Sequence, residues 1–117
     1  MDLQTLLTFG AMAAIVAGFT LYRRVGTLSR EEAHRLVKEG AKLVDVRSKA
    51  EFTALHLPGA INIPLPELSG RDAKLGAKNA PVVLYCASGS RSALGRSMLK
   101  GKGFTQVFNL GAMSRWN

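Results

Sequence analysis

The single cysteine of the chain, Cys86, has the surroundings of a reactive thiol. It follows residues 81–85, the most strand-like run of the sequence, and four small or polar residues separate it from Arg91, where a helix is predicted to begin. The amides of such a loop and the dipole of the helix it enters face an atom at its centre. Because these donors stabilise a thiolate, the sequence predicts that Cys86 is a nucleophile. The residues predicted to bind its substrate are Ala87, Ser88, Gly89, Ser90 and Arg91.

Each of these side chains also has a structural interpretation. A lone cysteine is often a small buried apolar residue, although such a residue needs no glycine-bearing loop behind it. Arg91 either attracts an anionic substrate, which we favour, or braces the loop. The hydroxyls of Ser88 and Ser90 contact substrate or shape the loop and cap the helix. Ser92 is interpreted as part of the helix start.

Five further residues carry groups that could do chemistry. Asp45 and Arg47 end a predicted strand and are possible supporting residues of the site, although a structural ion pair is favoured over catalysis. His56 precedes a Pro-Gly turn and is interpreted as structural, while His34 lies on a predicted helix with no partner nearby in sequence. These spacings predict no metal site, and we expect no cofactor. Trp116 is interpreted as a packing anchor.

Predicted strands and helices alternate along most of the chain. Two Ser-x-x-Glu segments, Ser29 to Glu32 and Ser48 to Glu51, have the spacing of a capping box at a helix start. A third helix is predicted over residues 91–100. Alternating elements of this kind indicate an α/β domain with a mainly parallel sheet. The predicted strands cover residues 42–46, 60–63, 81–85 and 106–108.

The first 22 residues differ from the rest of the chain. Residues 3–22 carry no charge, and about 20 apolar residues in a helix cross a bilayer. We therefore expect a transmembrane anchor over residues 1–22, a basic linker over 23–26 and the folded domain over 27–117. A cleaved signal peptide is less favoured because no Lys or Arg precedes the apolar run, although Ala11 to Ala13 has a suitable small-residue pattern.

The charges also divide at this boundary. All 16 Lys and Arg lie at or after Arg23, together with seven of the eight acids, which gives residues 23–117 a net charge of 16 − 7 = +9. Basic residues directly after a span place the following domain in the cytoplasm, so a single-pass orientation with a lipid bilayer as partner is expected. Nucleic acid is not expected, because the aromatic residues do not alternate with the basic ones.

Several motifs, in order, resemble the single-domain sulfurtransferases of the rhodanese family. They are residues 43–47, Glu51-Phe52 followed by 56–64, the loop from Cys86 to Arg91, Gly103-Phe104 with Val107, and the ending 111–116. The resemblance spans about residues 27–116. It implies a rhodanese-like α/β fold, with a central, mainly parallel five-stranded sheet flanked by helices and, here, preceded by one transmembrane helix.

The resemblance also implies a mechanism. The thiolate of Cys86 attacks the outer sulfur of a small anionic donor such as thiosulfate or of a persulfide, and Cys86 then holds that sulfur as a persulfide. Cyanide, a small thiol or a protein thiol accepts the sulfur, and the acceptor is external because the chain has no second cysteine. Related phosphatase and arsenate reductase loops have five intervening residues, so the four present here favour sulfur over phosphoryl transfer.

Two alternatives to a membrane-anchored sulfurtransferase remain open from the sequence. The domain could be a membrane-tethered persulfide carrier or a protein-recruiting module with little turnover. It could also be a phosphatase or reductase, which the loop length disfavours.

Overall fold

The computed structural model of the chain describes residues 1–24 and 26–117. In chain order, the helices and strands are α1 (Leu3–Arg24), α2 (Arg30–Lys38), β1 (Lys42–Asp45), α3 (Lys49–Ala54), β2 (Ile61–Asn62), β3 (Val82–Cys86), α4 (Ser90–Gly101) and β4 (Val107–Ala112). Three short 3₁₀ helices cover Leu65–Gly70, Asp72–Leu75 and Met113–Trp116.

The described strands form one parallel sheet in the order β2-β1-β3-β4. The predicted α/β class and parallel sheet are therefore confirmed, and the predicted five strands are wrong for the described residues. In place of a fifth strand, Thr27 forms an isolated parallel bridge with Asn109. After Thr27 the segment cannot extend further, because Ser29 is already the N-cap of α2.

Both predicted capping boxes are present. The Ser29 hydroxyl accepts the Glu32 amide at 3.2 Å, and the Glu32 carboxylate accepts the Ser29 amide at 3.2 Å. Ser48 and Glu51 repeat the arrangement at 3.2 and 3.1 Å. Each box satisfies two backbone N–H groups that the helix start leaves without a partner, which fixes where α2 and α3 begin.

The central strand β3 is buried at all five of its positions. Its alternate side chains enter two apolar clusters, one on each face of the sheet. Leu84 and Cys86 belong to one cluster, and Val83 and Tyr85 belong to the other. A parallel strand covered on both faces has a continuous apolar sequence, which explains why residues 81–85 stand out.

Residues 3–22 are helical, as expected, and lie within α1. Among the residues that the structure describes, however, no helix is both long and apolar enough to cross a membrane. The predicted transmembrane helix is therefore not supported. The predicted linker over residues 23–26 includes Val25, which lies outside the described residues.

A buried ion pair follows the end of β1. Asp45 is fully buried and Arg47 is 6% exposed. The guanidinium of Arg47 donates to both carboxylate oxygens of Asp45, at 2.7 to 3.1 Å, and also to the carbonyl of Leu55 at 2.5 Å. The Asp45 carboxylate accepts the Arg47 amide as well, at 2.8 Å. The pair thus joins the end of β1 to the segment after α3.

Replacing Asp45 with Ala should destabilise the fold by roughly 3 kcal/mol, because it leaves a buried guanidinium without its anion. Urea denaturation of the purified chain measures the loss. The matched control is Glu67→Ala, which removes an exposed ion pair with Arg71 and should cost less than about 1 kcal/mol. Equal losses in the two variants would contradict the structural importance assigned to the buried pair.

Candidate active site

Cys86 is the last residue of β3 and lies at the edge of the sheet where the parallel strands end. In register it faces Ala112 of β4, while Tyr85 faces Asp45 of β1. Residues 87–89 then connect β3 to α4. In parallel sheets this edge is where ligands bind. The strand therefore delivers the thiol to the expected side of the domain.

Gly89 shapes the loop behind the thiol. It is the N-cap of α4 and has φ 98°, in the left-handed region that disfavours residues with a side chain. This conformation directs the Gly89 amide to the sulfur of Cys86, at 3.0 Å. The Ser92 amide, in the first turn of α4, approaches the same sulfur at 3.4 Å. Two amides therefore face the thiol, one from the predicted loop and one from the helix that follows it.

Two opposing effects set the acidity of this thiol. Cys86 is fully buried, and burial by itself raises the pKa of a thiol because it disfavours the charged form. Hydrogen bonds from the Ser92 hydroxyl and from the amides of Ser92, Gly89 and Ser88 outweigh burial, and the pKa of Cys86 is lowered. A larger fraction of the side chain is consequently thiolate, the form that acts as a nucleophile.

Ser92 is a site residue that the sequence analysis did not identify. Its side chain is fully buried, and its Oγ lies 3.4 Å from the sulfur of Cys86 and 3.2 Å from the carbonyl oxygen of Gly89. That carbonyl also accepts the Ala93 amide at 3.1 Å. The Ser92 hydroxyl donates to this carbonyl. Because the carbonyl also accepts the Ala93 amide, the single Ser92 proton can turn to the sulfur and leave Gly89 with a hydrogen bond. The signal in the sequence that could have identified Ser92 was its position in the first turn of the helix that follows the cysteine loop.

Arg91 makes a two-pronged ion pair with Glu51. Its two terminal nitrogens lie 2.7 and 3.1 Å from the two carboxylate oxygens of Glu51, at the start of α3. The Arg91 hydrogen bonds, followed by that of the Ser48 amide, lower the pKa of Glu51 to about 2. The contact braces the loop against α3, which is the alternative that the sequence analysis ranked second for Arg91. In the sequence, Glu51 was identified as a capping residue and as part of a family motif, with no role at the loop.

The other two loop hydroxyls contact each other. Ser88 donates to Ser90 at 3.4 Å on the exposed side of the loop, and Ala87 is exposed as well. Asp45 and Arg47 lie one strand away, where Arg47 is 5.8 Å from the centre of the Tyr85 ring. Their ion pair supports the structural interpretation of both residues.

Both histidines pack against aromatic rings. His56 stacks on Phe52 with ring centres 3.8 Å apart, and its Nδ1 lies 2.8 Å from the Phe52 carbonyl oxygen. His34 stacks on Trp116 at 3.7 Å and contacts its carbonyl oxygen at 2.6 Å. Trp116 therefore anchors the last turn to α2. Within residues 1–24 and 26–117, no group of three or more His, Cys, Asp or Glu could hold a metal ion.

The fold and the site together define a parallel α/β domain with a buried thiol in an amide-lined loop at the sheet edge. Residues 29–117 match the family model of the rhodanese-like domain. The chain therefore belongs to the rhodanese-like family, as its motifs suggested.

Similar proteins come from bacteria and from humans. The chain is 34% identical over 103 residues to the uncharacterized protein YqhL of Bacillus subtilis, covering 87% of this chain and 81% of that one. It is 38% identical over 71 residues to the thiosulfate sulfurtransferase PspE of Escherichia coli, covering 60% and 68%. The solved human single-domain sulfurtransferase TSTD1 superposes with a TM-score of 0.68 at 31% identity, covering 78% and 94%.

Replacing Ser92 with Ala should raise the pKa of the Cys86 thiol, because a hydrogen bond to the thiolate is lost. Alkylation by iodoacetamide at pH 7 should slow roughly tenfold, since a hydrogen bond to a charged group contributes about 1.5 kcal/mol and every 1.4 kcal/mol or so is a factor of about ten. The measurement is the alkylation rate as a function of pH. Ser97→Ala, an exposed change on the same helix, is the control. An unchanged profile for Ser92→Ala would exclude a role for its hydroxyl at the sulfur.

Proposed function

We propose that the protein is a sulfurtransferase that carries sulfane sulfur as a persulfide on Cys86. The observation that carries the proposal is the position of the Cys86 sulfur, 3.0 Å from the Gly89 amide and 3.4 Å from both the amide and the hydroxyl of Ser92. Relatives support it by their names, since PspE of Escherichia coli and GlpE of Pseudomonas savastanoi are both thiosulfate sulfurtransferases.

In the first half of the reaction, the Cys86 thiolate attacks the outer sulfur of thiosulfate or of a persulfide. A sulfur–sulfur bond forms at Cys86 as the donor's own sulfur–sulfur bond breaks. The leaving group, sulfite or a thiolate, departs with the electron pair. Loop amides that already face the sulfur stabilise the resulting charge without reorganising, as donors do in an oxyanion hole.

In the second half, an external nucleophile removes the outer sulfur. A thiolate or cyanide attacks that sulfur, and the bond to Cys86 breaks to regenerate the Cys86 thiolate. The acceptor must be a separate molecule, because the chain has no second cysteine. Since Cys86 is fully buried, both reactants require a small opening of the loop. This burial favours, as a second candidate, a persulfide carrier with slow turnover that delivers to one partner.

Purified protein incubated with thiosulfate or an alkyl persulfide should gain the mass of one sulfur atom on Cys86. Intact-mass spectrometry and peptide mapping measure this gain. Cys86→Ser should show none while keeping the fold, because the side chain retains nearly the same volume. A folded wild-type protein that gains sulfur from no sulfane donor would refute sulfur transfer.

Turnover then separates the two candidates. Addition of cyanide or a small thiol to loaded protein should release the sulfur repeatedly if the protein is a general sulfurtransferase. A carrier would load once and release sulfur only slowly to these acceptors. Hydrolysis of an aryl phosphate, lost in Cys86→Ser, would instead favour a phosphatase, which the four-residue spacing between Cys86 and Arg91 disfavours.

We also propose that α1 associates with a lipid bilayer and that the domain faces the cytoplasm. Apolar side chains of α1 are exposed around the helix, among them Leu6 at 54%, Leu7 at 65%, Phe9 at 62% and Ile15 at 68%. Exposed apolar area of this extent is typical of a surface that contacts lipid or another molecule. The Lys and Arg residues all follow this apolar segment, which supports the cytoplasmic orientation.

Cell fractionation should recover the full-length protein with membranes, and removal of residues 1–22 should shift it to the supernatant. A tag at residue 117 should resist protease in intact cells and become sensitive after lysis. Recovery of the full-length protein in the supernatant would contradict membrane association.

A further inference from the structure

The cations beside the candidate nucleophile are already paired with carboxylates. Arg91 is the only basic residue in the loop from Cys86 to Arg91, and its guanidinium is bound to Glu51 through two contacts. Arg47, on the neighbouring strand end, is bound in the same way to Asp45. The chain as a whole carries +8, but each of these two guanidinium groups is neutralised by its own anion.

Of these two cations, Arg91 belongs to the loop itself and responds to the charge on the sulfur. A thiolate at Cys86 is one of the groups that raise the pKa of Arg91, after the larger effect of the Glu51 hydrogen bonds. The loop therefore offers a donor molecule amide hydrogens and one guanidinium whose charge Glu51 offsets. A multiply charged anion gains less from this guanidinium than it would from an unpaired one.

The charge of the donor matters because it adds to that of the thiolate. Attack on thiosulfate brings together one negative charge from Cys86 and two from the donor, and the products, a persulfide anion and sulfite, also carry three. In a thiosulfonate such as methanethiosulfonate, a methyl group replaces one of the three oxygens of thiosulfate. Its reaction carries two negative charges throughout and releases a sulfinate. The transferred sulfur and the bond that breaks are the same in both.

We propose that Glu51, by neutralising Arg91, adapts the site to sulfane donors that carry no more than one negative charge, such as persulfides and thiosulfonates. Glu51 is in this sense a specificity-determining residue, although it does not contact the sulfur. The proposal rests on the sulfur transfer proposed above and names the substrate class of that same site.

The capping box makes a clean substitution possible. Oε1 of Glu51 accepts hydrogen bonds from the Ser48 amide at 3.1 Å and from the Ser48 hydroxyl at 3.0 Å. Gln at this position keeps an oxygen for these bonds, and Gln serves in capping boxes as Glu does. Its NH₂ group takes the place of Oε2 and faces Arg91 Nη2, donor against donor, while Oε1 can still accept from Nη1. Glu51→Gln thus retains the start of α3 and removes the negative charge that neutralises Arg91.

The chain supplies a matched control for this substitution. Glu32 occupies the same place in the other capping box and bonds to Ser29 in the same way. Its hydrogen bonds to Ser29, like those of Glu51 to Ser48, lower its pKa. Glu32→Gln therefore makes the same chemical change in a capping box of α2, away from the loop.

The experiment measures kcat/KM for thiosulfate and for methanethiosulfonate with full-length wild type, Glu51→Gln and Glu32→Gln, using cyanide as acceptor. In Glu51→Gln, the kcat/KM for thiosulfate divided by that for methanethiosulfonate should rise at least about fivefold, because a cation that is no longer neutralised favours the more highly charged donor. In Glu32→Gln, the ratio should equal that of wild type. Added salt should reduce the gain in Glu51→Gln.

Each other outcome overturns the proposal. An unchanged or lowered ratio in Glu51→Gln, including an equal loss for both donors, would mean that Glu51 only braces the loop. A second readout requires no sulfur transfer. It compares how strongly sulfate and methanesulfonate protect Cys86 from alkylation by iodoacetamide in wild type and in Glu51→Gln. If neither donor loads wild-type Cys86, the proposed function fails. If Glu51→Gln then shows the same preference between sulfate and methanesulfonate as wild type, the proposal about donor charge is overturned separately.

Discussion

The parallel pairing of β3 with β1 on one side and β4 on the other is the constraint on which the candidate site depends. It brings the ends of three strands to one edge, so that Tyr85 lies beside Asp45 and Cys86 lies beside Ala112. A central strand covered on both faces must be apolar throughout, so the thiol at its end is buried. A buried thiol becomes a thiolate only if nearby donors compensate for lost water. The loop after β3 supplies them.

The loop is held in turn by α3, a helix that precedes it in the sequence. Glu51 caps α3 through Ser48 and also binds Arg91 at the end of the loop. One carboxylate therefore couples a local helix start to the position of the amides around the sulfur. Donors fixed in this way need no reorganisation when charge develops. The same contact removes much of the positive charge that an anionic donor would otherwise meet.

Local patterns in the sequence predict most of the elements, because their causes are local. The capping boxes at Ser29 and Ser48 act over three residues, and the buried strand before Cys86 is a continuous apolar run. Contacts between distant segments are not visible in this way. Glu51 and Arg91 are 40 positions apart, and the partner of His34 is 82 positions away at Trp116. The fifth strand was implied by resemblance alone, and the capping box at Ser29 leaves it no room.

Access to the sulfur and stabilisation of its charge make opposite demands on this loop. Any movement that exposes Cys86 also lengthens its hydrogen bonds to Gly89 and Ser92, and the thiolate is then less stabilised by the protein. The Glu51–Arg91 contact limits such movement by tying the loop to α3. A single sulfur atom at the end of a donor needs the smallest opening, whereas a phosphoryl group must also place its oxygens among the amides. A short, braced loop around a buried thiol therefore suits sulfur transfer better than phosphoryl transfer.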